Sequence, residues 1–329
     1  MLEAKDSVRL GGSGLRISPV VLGCMSFGVP DRGAHPWSLD EEASRPLIRH
    51  AVEAGITTFD TADVYSDGTS EEIVGRALAD FAQRDEIEIA TKVHGRMGAG
   101  ANQAGLGRGH ILSGIDASLR RLGTDYVDLY QIHRWDPETP IEETMEALND
   151  VVRSGKARYI GASSMWTWQF ATAQHVALQN GWTPFVSMQD QYNLLQREEE
   201  REMHPYCLDS GAGVLPWSPL ARGRLTRDWD DTTTRTESDT FGSTLYRSEE
   251  QSNRAIVEAV ARVADARGVS RAQIALAWVA QQDAVTAPIV GATRVGHIDD
   301  AVAAVGIRLD DSEVEILESA YTPRAPEGF

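Results

Sequence analysis

The sequence predicts an α/β protein folded as a (β/α)8 TIM barrel, and three observations point there. Eight short apolar runs alternate with longer segments whose apolar residues recur at helical spacing. Nearly all of these runs end on polar residues, as strands do at the mouth of a barrel. The first run, Val21-Leu22-Gly23, leads into Cys24-Met25-Ser26 and lacks the glycine-rich loop with which an open doubly wound sheet holds a dinucleotide.

Taken in order, residues 7–17 read as a small hairpin ahead of the barrel. Strands are expected at 19–23, 57–59, 87–91, 127–132, 157–161, 185–188, 213–216 and 287–290. Amphipathic helices lie between them, as in the Ile111, Ile115, Leu119, Leu122 series. Thr139-Pro140-Ile141-Glu142 combines a capping box with proline at the first helical position, and Ser270-Arg271-Ala272-Gln273 is a second box. Gly55, Gly123, Gly155, Gly181, Gly211 and Gly268 each follow a helical pattern, where a left-handed residue closes the helix. The units share no sequence signature, so the architecture repeats and the sequence does not. No linker interrupts them, and one domain spanning 1–329 is expected, with long loops at the carboxyl-terminal face. One loop, 94–110, holds six glycines. The other, 221–250, carries Asp228, Trp229, Asp230, Asp231 and a Thr/Ser-rich tract. Their length suggests lids or binding loops, with a plain surface insertion as the alternative.

Composition narrows the function. The net charge of -18 argues against nucleic acid, whose phosphates the surface would repel. A small anionic cofactor is still compatible, because salt screens over about 8 Å and a few local arginines decide a pocket. Cys24 and Cys207 form no motif and read as two buried thiols in a reducing compartment. No apolar run approaches the ~20 residues of a membrane span, and Met1-Leu2-Glu3-Ala4-Lys5-Asp6 has no apolar leader pattern. A cytoplasmic protein without membrane or nucleic-acid partners is expected; oligomeric state is left open. The eight histidines form no tight ligand cluster, so no metal is expected.

Asp60 ends one strand-like run and Tyr65 follows five residues later; Lys92 and His133 end two others. A phenol is a reluctant acid at neutral pH, and one cation within ~4–6 Å can lower its pKa by about 1–3 units. Lys92 could be that cation, with Asp60 keeping it charged and aimed. His133 could bind a substrate oxygen or relay the proton. Taken singly, Asp60–Lys92 could equally be a structural ion pair and His133 a core histidine.

Gly55-Ile-Thr-Thr-Phe-Asp-Thr-Ala-Asp-Val-Tyr65, Thr91-Lys92 and Arg121-Leu-Gly-Thr-Asp-Tyr-Val-Asp-Leu-Tyr-Gln-Ile-His133 together resemble the aldo-keto reductase family. The resemblance runs from about Leu15 to about residue 320 and is to the bacterial, NADPH-dependent type. It implies a catalytic tetrad of Asp60, Tyr65, Lys92 and His133, with Tyr65 as proton donor, reducing an aldehyde or ketone with NADPH. By the same resemblance Ser163, Ser164 (where asparagine is commoner) and Gln189 hold the nicotinamide carboxamide, and Tyr192 stacks on its ring. Trp217-Ser218-Pro219-Leu220-Ala221-Arg222-Gly223-Arg224-Leu225 resembles the pyrophosphate loop. Ile289-Val290-Gly291-Ala292-Thr293-Arg294 resembles the segment for the adenosine 2′-phosphate, with Gly291, Thr293 and Arg294 among the cofactor-binding residues. His297 and Asp300 stand where glutamine and glutamate are usual. Met25, Trp37, Trp135 and Trp229 are candidates for an aromatic substrate pocket open to carbonyl compounds of many shapes. Two rival readings are a Schiff-base lyase through Lys92 and a cofactor-holding regulatory subunit with slow turnover.

Overall fold

The computed structural model describes residues 1–33, 35–231, 239, 242–246 and 248–326. Strands β1 (Val8–Arg9) and β2 (Arg16–Ile17) form the expected antiparallel hairpin. The barrel strands are β3 (Val21–Gly23), β4 (Thr58–Asp60), β5 (Glu88–Val93), β6 (Val127–Ile132), β7 (Ala157–Ser163), β8 (Ser187–Gln189), β9 (Gly213–Val214) and β10 (Ile289–Gly291). All pair in parallel, in the order β10-β3-β4-β5-β6-β7-β8-β9. The two ends of that order meet. Thr286 N–H donates to Val214 O (2.8 Å) and Ile289 N–H to Pro216 O (2.9 Å), which closes the sheet into a cylinder and removes its exposed edges.

Helices form the outer layer: α1 (Glu41–Glu53), α2 (Thr69–Phe81), α3 (Arg108–Leu122), α4 (Ile141–Arg153), α5 (Thr167–Asn180), α6 (Met203–Ser210), α7 (Glu250–Arg267), α8 (Arg271–Ala280), α9 (Val295–Ala304) and α10 (Asp311–Glu318). α4, for one, buries a stripe that includes Met145, Leu148 and Val151, whereas α7 and α10 pack mainly on each other and on α8. Inside the cylinder, Leu10 and Ile17 of the hairpin join Val21, Ala90, Leu129, Leu215, Ala287 and Ile289. The hairpin therefore plugs the amino-terminal floor and leaves only the opposite mouth for chemistry.

The strands run further toward the mouth than the apolar pattern suggests. β4 reaches Asp60, β5 passes Lys92, β7 includes Ser163 and β8 ends on Gln189. Ladder hydrogen bonds belong to the backbone, so a polar side chain facing the barrel interior does not end a strand. β9 is shorter than expected, stopping at Val214.

The helix signals hold in part. All six glycines named above adopt positive φ. Ser270 Oγ accepts from Gln273 N–H (3.1 Å), but the Gln273 side chain donates to Asp300, so only half of that box forms. The box at Thr139 is corrected: Pro140 is the N-cap without a side-chain bond, and Thr139 Oγ1 donates to Asp136 instead. The glycine-rich loop is pinned by its own bonds, Met97 N–H to Gln103 O and Gly105 N–H to His94 O. Much of the Thr/Ser-rich tract lies outside the described residues. Both cysteines are free and buried. Among the described residues no helix is long and apolar enough to cross a membrane.

Candidate active site

The top interior layer of the barrel is polar. Asp60 from β4, Lys92 from β5, Gln131 from β6 and Gln189 from β8 are all buried and touch one another. Lys92 Nζ donates to Asp60 Oδ2 (2.5 Å), Thr61 O (2.8 Å) and Tyr65 Oη (3.3 Å). Its three protons thus have three acceptors, which a buried ammonium requires. Asp60 Oδ1 accepts from Gln131 Nε2 (2.9 Å) and Gln189 Nε2 (3.0 Å), and Gln189 also donates to Gln131 Oε1 (3.1 Å). The carboxylate is held from both sides, and it in turn aims the ammonium at the phenol.

Tyr65 opens a short turn whose next residues, Ser66 (φ 45) and Asp67 (φ 55), are both left-handed. Such strain in two non-glycine residues persists only where packing over-determines it. Here Ser66 Oγ meets Ser38 Oγ (3.1 Å), and Ser66 O accepts from Thr69 Oγ1 (2.7 Å). The phenol ring stands edge-on to His133, centroids 5.6 Å apart at 80°. Tyr65, Lys92, Asp60 and His133 therefore form one contiguous set at the mouth.

Electrostatics refines the roles. Burial raises the Tyr65 phenol above its ordinary value, and Lys92 lowers it by less, so the net direction is up. The expectation of an unusually acidic hydroxyl is thereby corrected: the ammonium offsets desolvation without overturning it. Burial alone would pull Lys92 down, but Asp60 and Tyr65 carry it above the ordinary lysine value. His133 is pushed well below the usual imidazole range, first by burial and then by Lys92 and Arg134. The layer thus holds a charged lysine, a protonated phenol and a neutral imidazole.

The other expected residues are placed as follows. Ser163 Oγ and Ser164 Oγ are buried 3.1 Å apart, and Trp217 Nε1 donates to Ser164 Oγ (3.1 Å). Gln189 stands beside them on β8, paired with Ser163 in register, its amide nitrogen turned to Asp60. Tyr192 is corrected. Its ring is fully buried against Trp278 (5.3 Å, near parallel) and His204, and its hydroxyl donates to Glu200 (2.6 Å), so it cannot face a ligand. The aromatic wall beside the serines is Trp217.

The stretch after Trp217 is strained, with positive φ at Ser218 (55), Ala221 (48) and Arg222 (55). Three left-handed non-glycine residues within five positions mark a built loop. Pro219 and Leu220 complete the turn, Leu220 packing against the core. Arg222, Arg224 and Arg227 fall within six residues of it, a basic focus in a chain of net charge -18. Arg227 lies just beyond the expected pyrophosphate loop and is an addition to it. Arg222 Nε donates to Asp239 Oδ2 (2.7 Å), so its guanidinium is engaged by the long loop. Gly291 ends β10, and Arg294 Nε donates to His297 Nε2 (2.8 Å) while Thr293 N–H approaches His297 Nδ1 (3.3 Å). Asp300 Oδ1 accepts from Ser270 and Gln273, so its near partners are on α8.

At the rim, Met25 is half-buried in a turn after β3. Trp37 packs on His35 (5.1 Å), which lies 6.1 Å from the Tyr65 ring. Trp135 meets Trp168 edge-on (6.0 Å), and Trp168 is an addition to the expected set. Trp229 packs on the cluster around Trp278 under Arg224 (4.7 Å), and its described contacts do not include Tyr65.

The family model for the aldo/keto reductase family matches residues 19–322. The chain belongs to the aldo-keto reductase family. It is 50% identical over 340 residues to versiconal hemiacetal acetate reductase of Aspergillus parasiticus, covering 97% of this chain and 98% of that one. It is 43% identical to an aldo-keto reductase of Metarhizium robertsii, over 98% of this chain and 93% of the relative. Another aldo-keto reductase, from Alternaria alternata, is 41% identical over 97% of this chain and 93% of its own. These three relatives are fungal proteins. Membership makes the chain an oxidoreductase enzyme of a family that acts on small-molecule carbonyl substrates with a nicotinamide cofactor. The residues present fit such a cofactor: buried hydroxyls at Ser163 and Ser164, an indole wall at Trp217, and a strained arginine-rich turn.

Proposed function

We propose that this aldo-keto reductase reduces an aldehyde or ketone to an alcohol with NADPH, through Tyr65 as general acid. The observation that carries the reading is the convergence of Lys92 Nζ on Asp60 and on the Tyr65 hydroxyl inside the closed barrel. When bound, the reduced nicotinamide supplies the hydride to the carbonyl carbon. Tyr65 gives its proton to the carbonyl oxygen as negative charge develops there, and Lys92 steadies the phenolate left behind. His133, neutral, donates a hydrogen bond to the same oxygen; such preorganised donors can be worth several kcal/mol in a dry site. Asp60, Gln131 and Gln189 hold Lys92 in line.

Ser163, Ser164 and Gln189 would hold the carboxamide, Trp217 the ring face, and Ser218 through Arg222 the pyrophosphate. Arg294 with His297 would hold the 2′-phosphate, a group that suits the fixed fork of a guanidinium. A carbonyl panel read by loss of NADPH absorbance, with NADH in parallel, tests this. The wild type should favour NADPH by 10-fold or more in kcat/KM, and Arg294→Ala should remove most of that preference. Equal use of both cofactors by the wild type would refute the 2′-phosphate assignment.

The charged state of Lys92 disfavours a Schiff-base lyase, which needs a neutral amine. Borohydride trapping of a substrate adduct would reinstate it.

A further inference from the structure

One cation at the mouth is left over by this mechanism. Arg134 follows His133, whose ring stands 5.6 Å from the Tyr65 ring just past the end of β6, so its backbone lies at the mouth; its charge also bears on Tyr65, His133 and His94. Its Nη1 is buried without a hydrogen-bond partner, and among the described residues no acid pairs with it. The nearby acids are committed elsewhere. Asp136 accepts from Leu106 N–H (2.7 Å), Thr139 Oγ1 (2.7 Å) and Glu138 N–H (2.9 Å). Asp60 is taken by Lys92, Gln131 and Gln189. A buried guanidinium nitrogen without an acceptor is unfavourable, and an anionic oxygen relieves it through a charge-assisted bond. Beside it in sequence stands Trp135, and the Trp135–Trp168 pair offers aromatic faces at the rim, with Trp168 62% exposed.

We propose that Arg134 selects the substrate by binding an anionic oxygen substituent, a carboxylate or phenolate, carried on an aromatic carbonyl compound whose ring packs against Trp135 and Trp168. This rests on the reductase reading above and adds a substrate class to it. The acidic surface sharpens the point: a net charge of -18 repels anions in general, so an anionic substrate needs a dedicated local cation. Arginine suits the task because it stays charged and presents a planar fork to two oxygens.

The test compares the three carboxybenzaldehyde isomers with their methyl esters in the wild type, Arg134→Met and Arg134→Lys. The ratio of kcat/KM for acid over ester should be 10-fold or more for at least one isomer. That ratio should collapse by 10-fold or more in Arg134→Met, mainly through KM, and persist within about threefold in Arg134→Lys. If Arg134 acts only through the field on Tyr65, acid and ester fall together and the ratio stays; that outcome overturns the proposal, as does a wild type without any acid preference. A second readout needs no turnover: tryptophan fluorescence of the full chain titrated with phthalate, isophthalate and terephthalate. Arg134→Met should weaken the tightest of these by 10-fold or more, and unchanged affinity overturns the proposal. Should the wild type reduce no aldehyde at all, the reductase reading fails while the dicarboxylate titration still decides the role of Arg134.

Discussion

Tyr65 illustrates why a neighbouring charge must be weighed against burial. The ammonium of Lys92 at 3.3 Å favours the phenolate, yet desolvation favours the neutral phenol by more. A donor in the reductive direction has to carry its proton at working pH, and this balance keeps it there. The pH dependence has a definite sign. Reduction requires protonated Tyr65, whose value lies above the ordinary ~10, and neutral His133, whose value lies well below the ordinary ~6.5. The kcat/KM for reduction should therefore be flat from about pH 6.5 to 9 and fall only in strong alkali; an alkaline limb centred near 7 would contradict it.

Asp63 offers a second residue-scale test. Its buried carboxylate has no side-chain donor among the described residues, and burial followed by the charge of Glu71 raises its pKa to about 8 against smaller lowering effects of Arg121 and the Val64 N–H. In the unfolded chain the ordinary value is near 4. The folded state thus holds a proton that the unfolded state releases. The stability tied to that proton is fully present below about pH 4, declines as pH rises, and is gone above pH 8. Asp63→Asn removes this dependence. Urea unfolding should show the variant gaining on the wild type between pH 5 and 8, by on the order of a few kcal/mol. Parallel profiles for the two proteins would refute the assignment.

At the scale of elements, much was legible because period and punctuation are local. The alternation of apolar runs with helical stripes located all eight barrel strands and the hairpin, and glycine placed the helix ends. The strand ends were read short because Asp60, Lys92, Ser163 and Gln189 are polar yet point into the barrel. The same parity reveals Gln131, missed at first: it lies two residues after Leu129 of the interior cluster and two before His133. Tyr192 was misplaced because sequence shows an aromatic near a strand end but not the Trp278 ring that buries it. The Arg222–Asp239 pair joins residues seventeen apart across an irregular loop, where neither period nor motif reports contact.

The hairpin also carries a prediction. Leu10 is fully buried in the floor with Ile17, Val21 and Leu129. Leu10→Ala should cost about 2–5 kcal/mol of stability in chemical denaturation, from lost transfer energy plus the cavity left behind. A loss under about 0.5 kcal/mol would mean that the hairpin does not seal the barrel.

Across the whole molecule, the closed cylinder separates stability from chemistry. The hairpin and its apolar cluster fill one end, while the other carries a polar layer, a strained arginine-rich turn and an aromatic rim. The chain carries a net charge of -18, so binding of anionic groups depends on a few placed arginines. The account's central claim is that the barrel positions one phenol to protonate a carbonyl as hydride arrives. Its most direct test is a single-turnover measurement of NADPH oxidation with a simple aromatic aldehyde, comparing the wild type with Tyr65→Phe at matched cofactor occupancy. The account predicts that the variant oxidises bound NADPH at least 100-fold more slowly. An oxidation rate within a few-fold of the wild type would contradict it.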